Sequence, residues 1–502
     1  MMSAELPAAT AKLDRTTKLL LLLLPCIAVY YALPLAMHLD ELLLPAIRGF
    51  TFNSMLDHLL HGRFDVDPAV IGDEGFVRGG RTYTYFGIFP ALLRLPLLWS
   101  GRLGSADITW LSTLAAVVFG TFYKLRAVAA VQRQLPETGW TAMVFLALVV
   151  SIALGGAQIQ FLRPSIYQEV VSWAAALAAA FVYYAVRGLL VERQFDAGLL
   201  TAMAILAGLA LLTRVSFGVG LYLALGFLIL TIAWPTDRRP IRAKAGVLIR
   251  RVLAPDCVRA GVILLLFAAL CGVVNYGRFG NPLIFADFHL HIIDQIRYPD
   301  RILRLDRYGE FNLGRLWFGL QYYWLPLWAI IRPDGQFLFH EFQQRMVDAN
   351  EMPPSSFFLS DPLLVLLCGM FVRALWRKQW AGTGLQPLQR RSLALLAGFG
   401  GQILLILVAS SMTFRYRMEF YPSLELMAFL GFYAICAADA PSAMTEHPIL
   451  SRAIWACALW SVIAAHALMI LYRSSEFGPA SVVLHPGWLG FYYARMMNLP
   501  FQ

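Results

Sequence analysis

The sequence predicts an all-α polytopic membrane protein, a bundle of about eleven transmembrane helices. Three observations carry this. The chain is 59% hydrophobic and only 14% charged, against about 25% charged in ordinary globular proteins. Its mean hydropathy is +0.62. Apolar stretches near the roughly 20 residues a helix needs to cross a bilayer recur along the whole length. A soluble enzyme, a disordered chain and a disulfide-stapled secreted module are excluded.

The first span is expected at 17–38, where the Leu-rich run from Leu19 to Met37 leads into acidic sequence without a small-residue cleavage site. It reads as a retained span and not a signal peptide. A long loop follows at 39–106. Within it, 51–62 has helical period, with Phe52, Met55, Leu56, Leu59 and Leu60 on one face. The segment 86–99 is too broken by Pro90, Arg94 and Pro96 to cross. Six spans are then expected at 107–123, 140–157, 166–186, 197–213, 215–234 and 260–276. A second long loop occupies 277–360 and contains an aromatic segment at 314–331. The loop segments 51–62, 86–99 and 314–331 read as helices lying in the membrane interface. Four more spans are expected at 361–376, 392–410, 419–437 and 453–471. Residues 1–437 are expected to make one transmembrane module with both long loops, and 438–502 to add the last helix and an ordered-looking tail.

Lys+Arg number 41 against 31 Asp+Glu, a net charge of +10. Because the charges sit between apolar spans, they read as orientation signals and contacts to anionic lipid head groups, not as a nucleic-acid surface. Lys12, Lys18, Lys124, Lys244 and Lys378 all fall on one side of the alternating path, with the Arg238–Arg259 and Arg373–Arg391 clusters. By the positive-inside rule that side is cytoplasmic. The N-terminus is then inside, and the C-terminus and both long loops outside. The cysteines (Cys26, Cys257, Cys271, Cys368, Cys436, Cys457) form no CxxC or CxxH pattern and read as small core hydrophobes.

Acidic residues gather after the first span: Asp40, Glu41, Asp57, Asp65, Asp67, Asp73 and Glu74. A carboxylate at the outer end of a span is well placed to take a proton from a polar acceptor. Asp40 and Glu41 sit against apolar sequence on both sides, where an unused charge pair is costly. Asp65, Asp67, Asp73 and Glu74 read as solvated loop. Arg163-Pro-Ser-Ile-Tyr167-Gln-Glu169 precedes the fourth span, and Phe414-Arg415-Tyr416-Arg417-Met-Glu419 precedes the tenth. Arginine forks at this depth suit a phosphate or pyrophosphate; the other reading is a structural Arg–Glu pair. Arg214 has the same two readings. His289 with His291, and His58 with His61, lack a complete ligand set, so a structural metal is a weak expectation. Glu425 and His466 lie within spans and read as core groups, facing a cavity or each other.

An acidic pair after span one, a long outer loop with interfacial helices, many further spans and an Arg-Tyr before a late span resemble the GT-C membrane glycosyltransferases. These include the protein mannosyltransferases and aminoarabinose transferases. The closer likeness is to bacterial GT-C-like proteins, through LLHGRFDVD (59–67), RTYTYFGIFPALLRLPL (81–97), RPSIYQE (163–169), GLALLTRVS (208–216), NYGRFGNPLIF (275–285) and RYRMEFYP (415–422). It covers roughly 17–437.

The resemblance implies a GT-C-like bundle in a bacterial inner membrane with its site on the outer side. A sugar would pass, with inversion, from a polyprenyl-phosphate donor to a lipid, glycan or protein acceptor. Asp40 matches the family's loop-one base by position, with Glu41 second and Asp57 third. Arg415, Arg417 and Arg163 would hold the donor phosphate, and Tyr167, Glu169, Tyr416, Glu419 and Arg214 would line the pocket. The family plan admits a divalent metal without requiring one. Two alternatives remain open, a transporter or flippase of lipid-linked sugars and an O-antigen ligase- or polymerase-like enzyme.

Overall fold

The computed structural model of the chain describes residues 15–35, 48–235, 241–325, 346–347, 355–377, 386–437 and 448–474. Each of the eleven expected spans is a helix. Nine of the described helices are long and apolar enough to cross a membrane. The other two, Ala197–Leu211 and Pro362–Trp376, have 15 residues each. At 1.5 Å per residue they reach about 22 Å, short of a hydrocarbon core of about 30 Å. Both are wedged among longer helices: Ala197–Leu211 against Ile166–Val186, Val215–Ala233 and Pro255–Phe279, and Pro362–Trp376 against Tyr421–Ala437 and Pro448–Ser474.

Sequence sets these boundaries locally. Thr138, Ser165 and Asp196 each accept a hydrogen bond from the backbone N–H three residues on and so cap the helices that follow. Small residues let the helices approach closely, since apolar faces gain little from leaving lipid. A Cβ added at Gly398 would lie 2.1 Å from the Ala224 backbone nitrogen, so only glycine fits that crossing.

Charges inside the bundle meet partners. Lys124 is buried and lies 2.6 Å from Glu425, so it is a core group. Glu425 therefore does not pair with His466, whose ring instead bonds the Tyr30 hydroxyl. Arg417 donates to Ser360 at 2.5 Å and stands 3.3 Å from Asp361, which also accepts from Tyr421 at 2.8 Å. Cys271, Cys368 and Cys436 are buried as expected of core hydrophobes, whereas Cys26 is exposed.

The two long loops pack on each other at one end of the bundle. A hairpin missed in the sequence, Phe76–Arg78 with Arg81–Tyr83, bridges to His291 through Phe76. The Ile292 N–H donates to the Gly75 carbonyl at 3.0 Å. Helix Thr51–Leu60 buries Phe52, Met55 and Leu56, but also Asn53, Ser54 and His58 on other sides. It is packed within the loop domain and does not present one apolar face to lipid. The 86–99 segment forms two short helices, Phe89–Leu92 and Leu95–Trp99. The aromatic segment begins as Leu316–Trp324; its continuation past 325 and the 475–502 tail lie outside the described residues.

Removing one member of a buried ion pair strands the other. Lys124→Ala should lower stability by about 3–5 kcal/mol, whereas Lys124→Met with Glu425→Leu together should recover most of the loss. Thermal unfolding in detergent reads both; equal losses in the single and double variants would contradict this pairing.

Candidate functional site

Where the loops meet the bundle they enclose a cavity of about 730 Å³. Its floor is apolar, with Val170, Leu211, Val274 and Ile406, and its polar lining includes Tyr85, Arg214, Ser216, Arg278, Asp287, His289, Asp306 and Glu310. The first loop reaches this wall through Gly87, where an added Cβ would lie 2.1 Å from the Leu212 carbonyl oxygen. That close approach lets the Phe89 N–H donate to Leu212 at 3.0 Å and sets Tyr85 and Phe86 beside Arg214.

Two guanidiniums, Arg278 and Arg214, line the cavity, and a third, Arg415, stands nearby. Arg278 is buried; it donates to the Phe86 carbonyl at 2.8 Å and contacts Met55 sulfur at 3.6 Å. Its Nε has no acceptor, and among the described residues no carboxylate pairs with it. Arg214 donates through Nε to Glu419 at 2.6 Å, and Ser216 donates to the same oxygen at 2.7 Å. The Arg214 guanidinium lies 4.6 Å from the Tyr416 ring centre, and Arg415 lies 5.6 Å from that ring and 4.5 Å from Tyr167. Two like charges thus lie near one aromatic ring, with Tyr85 close to both. Burial, and next the Glu74 charge, push the Tyr85 phenol well up.

Behind Tyr167 stands a second charge chain. The Tyr167 hydroxyl donates to Glu74, which lies 3.7 Å from His291. The His291 Nδ1 is 2.7 Å from Asp294, which accepts from Arg301 at 3.0 Å. Burial alone would raise the Glu74 carboxyl, but His291, Tyr167 and Arg48 outweigh it and hold it at about 2. Burial would likewise lower His291, yet Asp294 and Glu74 lift it to about 9. Glu74 is thus a buried link between the loops and not part of a solvated stretch. Asp65 is also buried, bonded to Arg63 at 3.0 Å and facing His58 at 3.4 Å.

The sequence-predicted residues divide. Arg214 lines the cavity, and Glu419, Tyr416, Arg415 and Tyr167 follow it contact by contact outside the lining. Glu169 does not line the cavity: it is buried against Arg94, whose Nη2 donates to it at 2.8 Å, so the structural Arg–Glu reading holds there. Arg417 points away from Arg415 into the Asp361–Tyr421 cluster. Arg163 is half-buried and outside the cavity lining. Asp57 is exposed beside His61, 3.9 Å away. Asp40 and Glu41 lie outside the described residues. Glu74, Tyr85, Arg278 and Glu310 were missed. Only Arg278 carried a signal, as the charge inside NYGRFGNP (275–282). No group of three or more His, Cys, Asp or Glu among the described residues could hold a metal ion. His291 instead stacks on Phe76, with ring centres 4.6 Å apart.

No protein-family model matches the chain, and no curated protein matches its sequence. Among solved structures it is similar to the apo oligosaccharyltransferase of Archaeoglobus fulgidus, at 15% identity and TM-score 0.47 over 94% of this chain and 59% of that one. It is similar to the oligosaccharyltransferase AglB of that organism in complex with an inhibitory peptide and a dolichol-phosphate, at 14% and 0.43 over 95% and 60%. It is also similar to ArnT of Cupriavidus metallidurans bound to undecaprenyl phosphate, at 14% and 0.42 over 96% and 77%. The chain spans about three-fifths of the length of the archaeal chains.

The loop contact has a defined pH window. Glu74 is lowered from 4.5 to about 2, so its charge contributes fully above its ordinary value and is lost as pH falls through about 2. His291 is raised from 6.5 to about 9, so its contribution is complete below its ordinary value and is lost as pH rises through about 9. Hydrogen-exchange protection at Ile292 and Val66, corrected for intrinsic rates, should therefore fall above about pH 9. A His291→Gln protein should show no such alkaline loss. An identical alkaline fall in both proteins would count against the chain.

Proposed function

We propose that the protein is a membrane glycosyltransferase that takes a sugar from a polyprenyl-phosphate donor at this cavity. The supporting observation is Arg278, a buried guanidinium without a carboxylate partner among the described residues, in the wall of a largely apolar cavity that Arg214 also lines. A fixed positive charge in a low-dielectric wall favours an anionic ligand, and the apolar floor suits the first part of a lipid chain. Arg278, Arg214 and Arg415 would hold the donor phosphate. They would stabilise it most as the sugar–phosphate bond breaks, when negative charge grows on the leaving oxygen. Fixed before the reaction, they need no reorganisation during it.

The acceptor would be a hydroxyl or amide of a lipid, glycan or protein, entering from the loop side. By the family plan its proton goes to a loop-one carboxylate, Asp40, Glu41 or Asp57. Of these only Asp57 is described, and it is exposed outside the cavity lining. The site would work at the outer face of a bacterial inner membrane.

Undecaprenyl phosphate binding to the detergent-purified protein tests the clamp. Losing one charge-assisted contact costs about 1.5–3 kcal/mol, so Arg278→Ala and Arg415→Ala should each weaken binding roughly ten- to a hundredfold. Arg377→Ala, at an exposed helix end, should bind as the parent does. Equal affinity in all four proteins would refute the clamp, and lipid translocation without release of sugar would favour a transporter.

A further inference from the structure

We infer that the protein carries a second anion site, for the phosphate of an anionic phospholipid, at the end of the bundle away from the two loops, where Arg126 and Arg187 meet over Tyr183. The inference does not depend on the transferase reading above.

Helix Thr109–Gln132 begins at the first loop, where Arg94 donates to Thr109 at 3.4 Å. Arg126 stands 17 residues further on, about 25 Å along the axis at 1.5 Å per residue. It therefore lies toward the end of the bundle that carries Arg250, Arg251, Arg390 and Arg391, the end that the positive-inside rule reads as cytoplasmic. The helix packs side by side with Ile166–Val186. Phe119, Phe122, Tyr123 and Arg126 recur at helical spacing on one face of it, all of them partly exposed. Opposite them stand Tyr183, Tyr184 and Arg187. Arg187 opens a π-helical turn, Arg187–Val191, whose Gly188 has no room for a Cβ beside the Phe195 ring.

The charges at this crossing are unequally answered. The Arg126 guanidinium lies 4.6 Å from the Tyr183 ring centre, and Arg187 lies 5.9 Å from the same ring and from that of Tyr184. Arg187 is bonded to Glu192. Arg126 forms no ion pair with any described residue, and its Nε is buried without an acceptor. Two guanidiniums thus meet one carboxylate. Aromatic faces attract the charge but supply few acceptors for a guanidinium fork, which suits the oxygens of a phosphate. Nor does Arg126 snorkel toward water beyond the helix end. Its head is folded back over Phe122, one turn earlier, at 5.5 Å.

What lies beside the charge selects a lipid over a free anion. From Tyr123 an aromatic line runs toward the bundle's middle, to Phe119 at 4.8 Å and from there to Trp173 at 6.1 Å between ring centres. These rings are half-buried, and they offer an acyl chain a surface that continues directly from the arginines. An unpaired arginine among membrane helices is costly, and a basic pocket between helices on this side of a membrane suits an anionic head group. The phosphate diester would accept from Arg126, with Arg187 on its other flank.

Native mass spectrometry of the full-length protein, titrated with cardiolipin, phosphatidylglycerol and phosphatidylcholine, tests the site. The parent protein should hold the two anionic lipids in preference to phosphatidylcholine. Arg126→Gln should weaken them roughly ten- to a hundredfold, the loss of one charge-assisted contact, while the lipid-free melting temperature holds. Arg377→Gln removes the same charge from an exposed position at the same end and should bind as the parent does. A second measurement needs no substitution and decides the matter should Arg126→Gln fail to fold. Photoactivatable phosphatidylglycerol should crosslink the parent protein within 119–126 and 183–191, and unlabelled cardiolipin should compete where inorganic phosphate at the same concentration does not. Equal losses in the two variants, no preference for anionic lipid, crosslinks confined to other segments, or equal competition by inorganic phosphate would each overturn the inference.

Discussion

A buried guanidinium must be answered, and the structure is arranged around how each one is. Charge in an apolar interior costs several kcal/mol unless it is paired or bonded. Arg94 meets Glu169, Lys124 meets Glu425 and Arg417 meets Asp361 inside the bundle. Arg315 is answered by three backbone carbonyls. Arg278 donates to the Phe86 carbonyl but meets no described carboxylate, and it lines the cavity between the loops and the bundle. The ion pairs serve the fold; Arg278 is the charge on which the proposed site rests.

That site exists only because the two loops lock together. The Phe76 bridge to His291 and the Glu74–His291–Asp294–Arg301 chain tie the first loop to the second. Gly87 lets the first loop press on the Leu212 turn, and Arg315 pins the second loop to Val408. Tyr85 from one loop and Glu310 from the other then line a single cavity with Arg214 and Arg278 from the bundle. Loops of different origin can hold a precise geometry because their junctions are buried and charged, and rest on long helices.

The helices were legible in the sequence because apolar length is a local property; all eleven expected spans are helical, and only two are too short to cross alone. The aromatic and arginine motifs before the fourth and tenth spans meet in space, since Arg415 lies against Tyr167 and Tyr416, and Tyr416 and Glu419 both contact Arg214. Pairing was not legible. Arg278 and Phe86 are 192 residues apart, and Arg94 and Glu169 are 75 apart, so neither contact leaves a trace in local pattern. For the same reason Glu74 read as solvated. A polar loop looks hydrophilic in sequence even when a second loop, two hundred residues on, buries it.

The central claim is that a lipid phosphate completes the charge of the cavity. An experimental structure of the protein with undecaprenyl phosphate tests this most directly. The account predicts phosphate oxygens within hydrogen-bond distance of Arg278 and of Arg214 or Arg415, with the first isoprene units on the apolar floor near Val274 and Ile406. A phosphate bound instead beside Arg417 and Asp361, or at the membrane surface with the cavity empty, would contradict it.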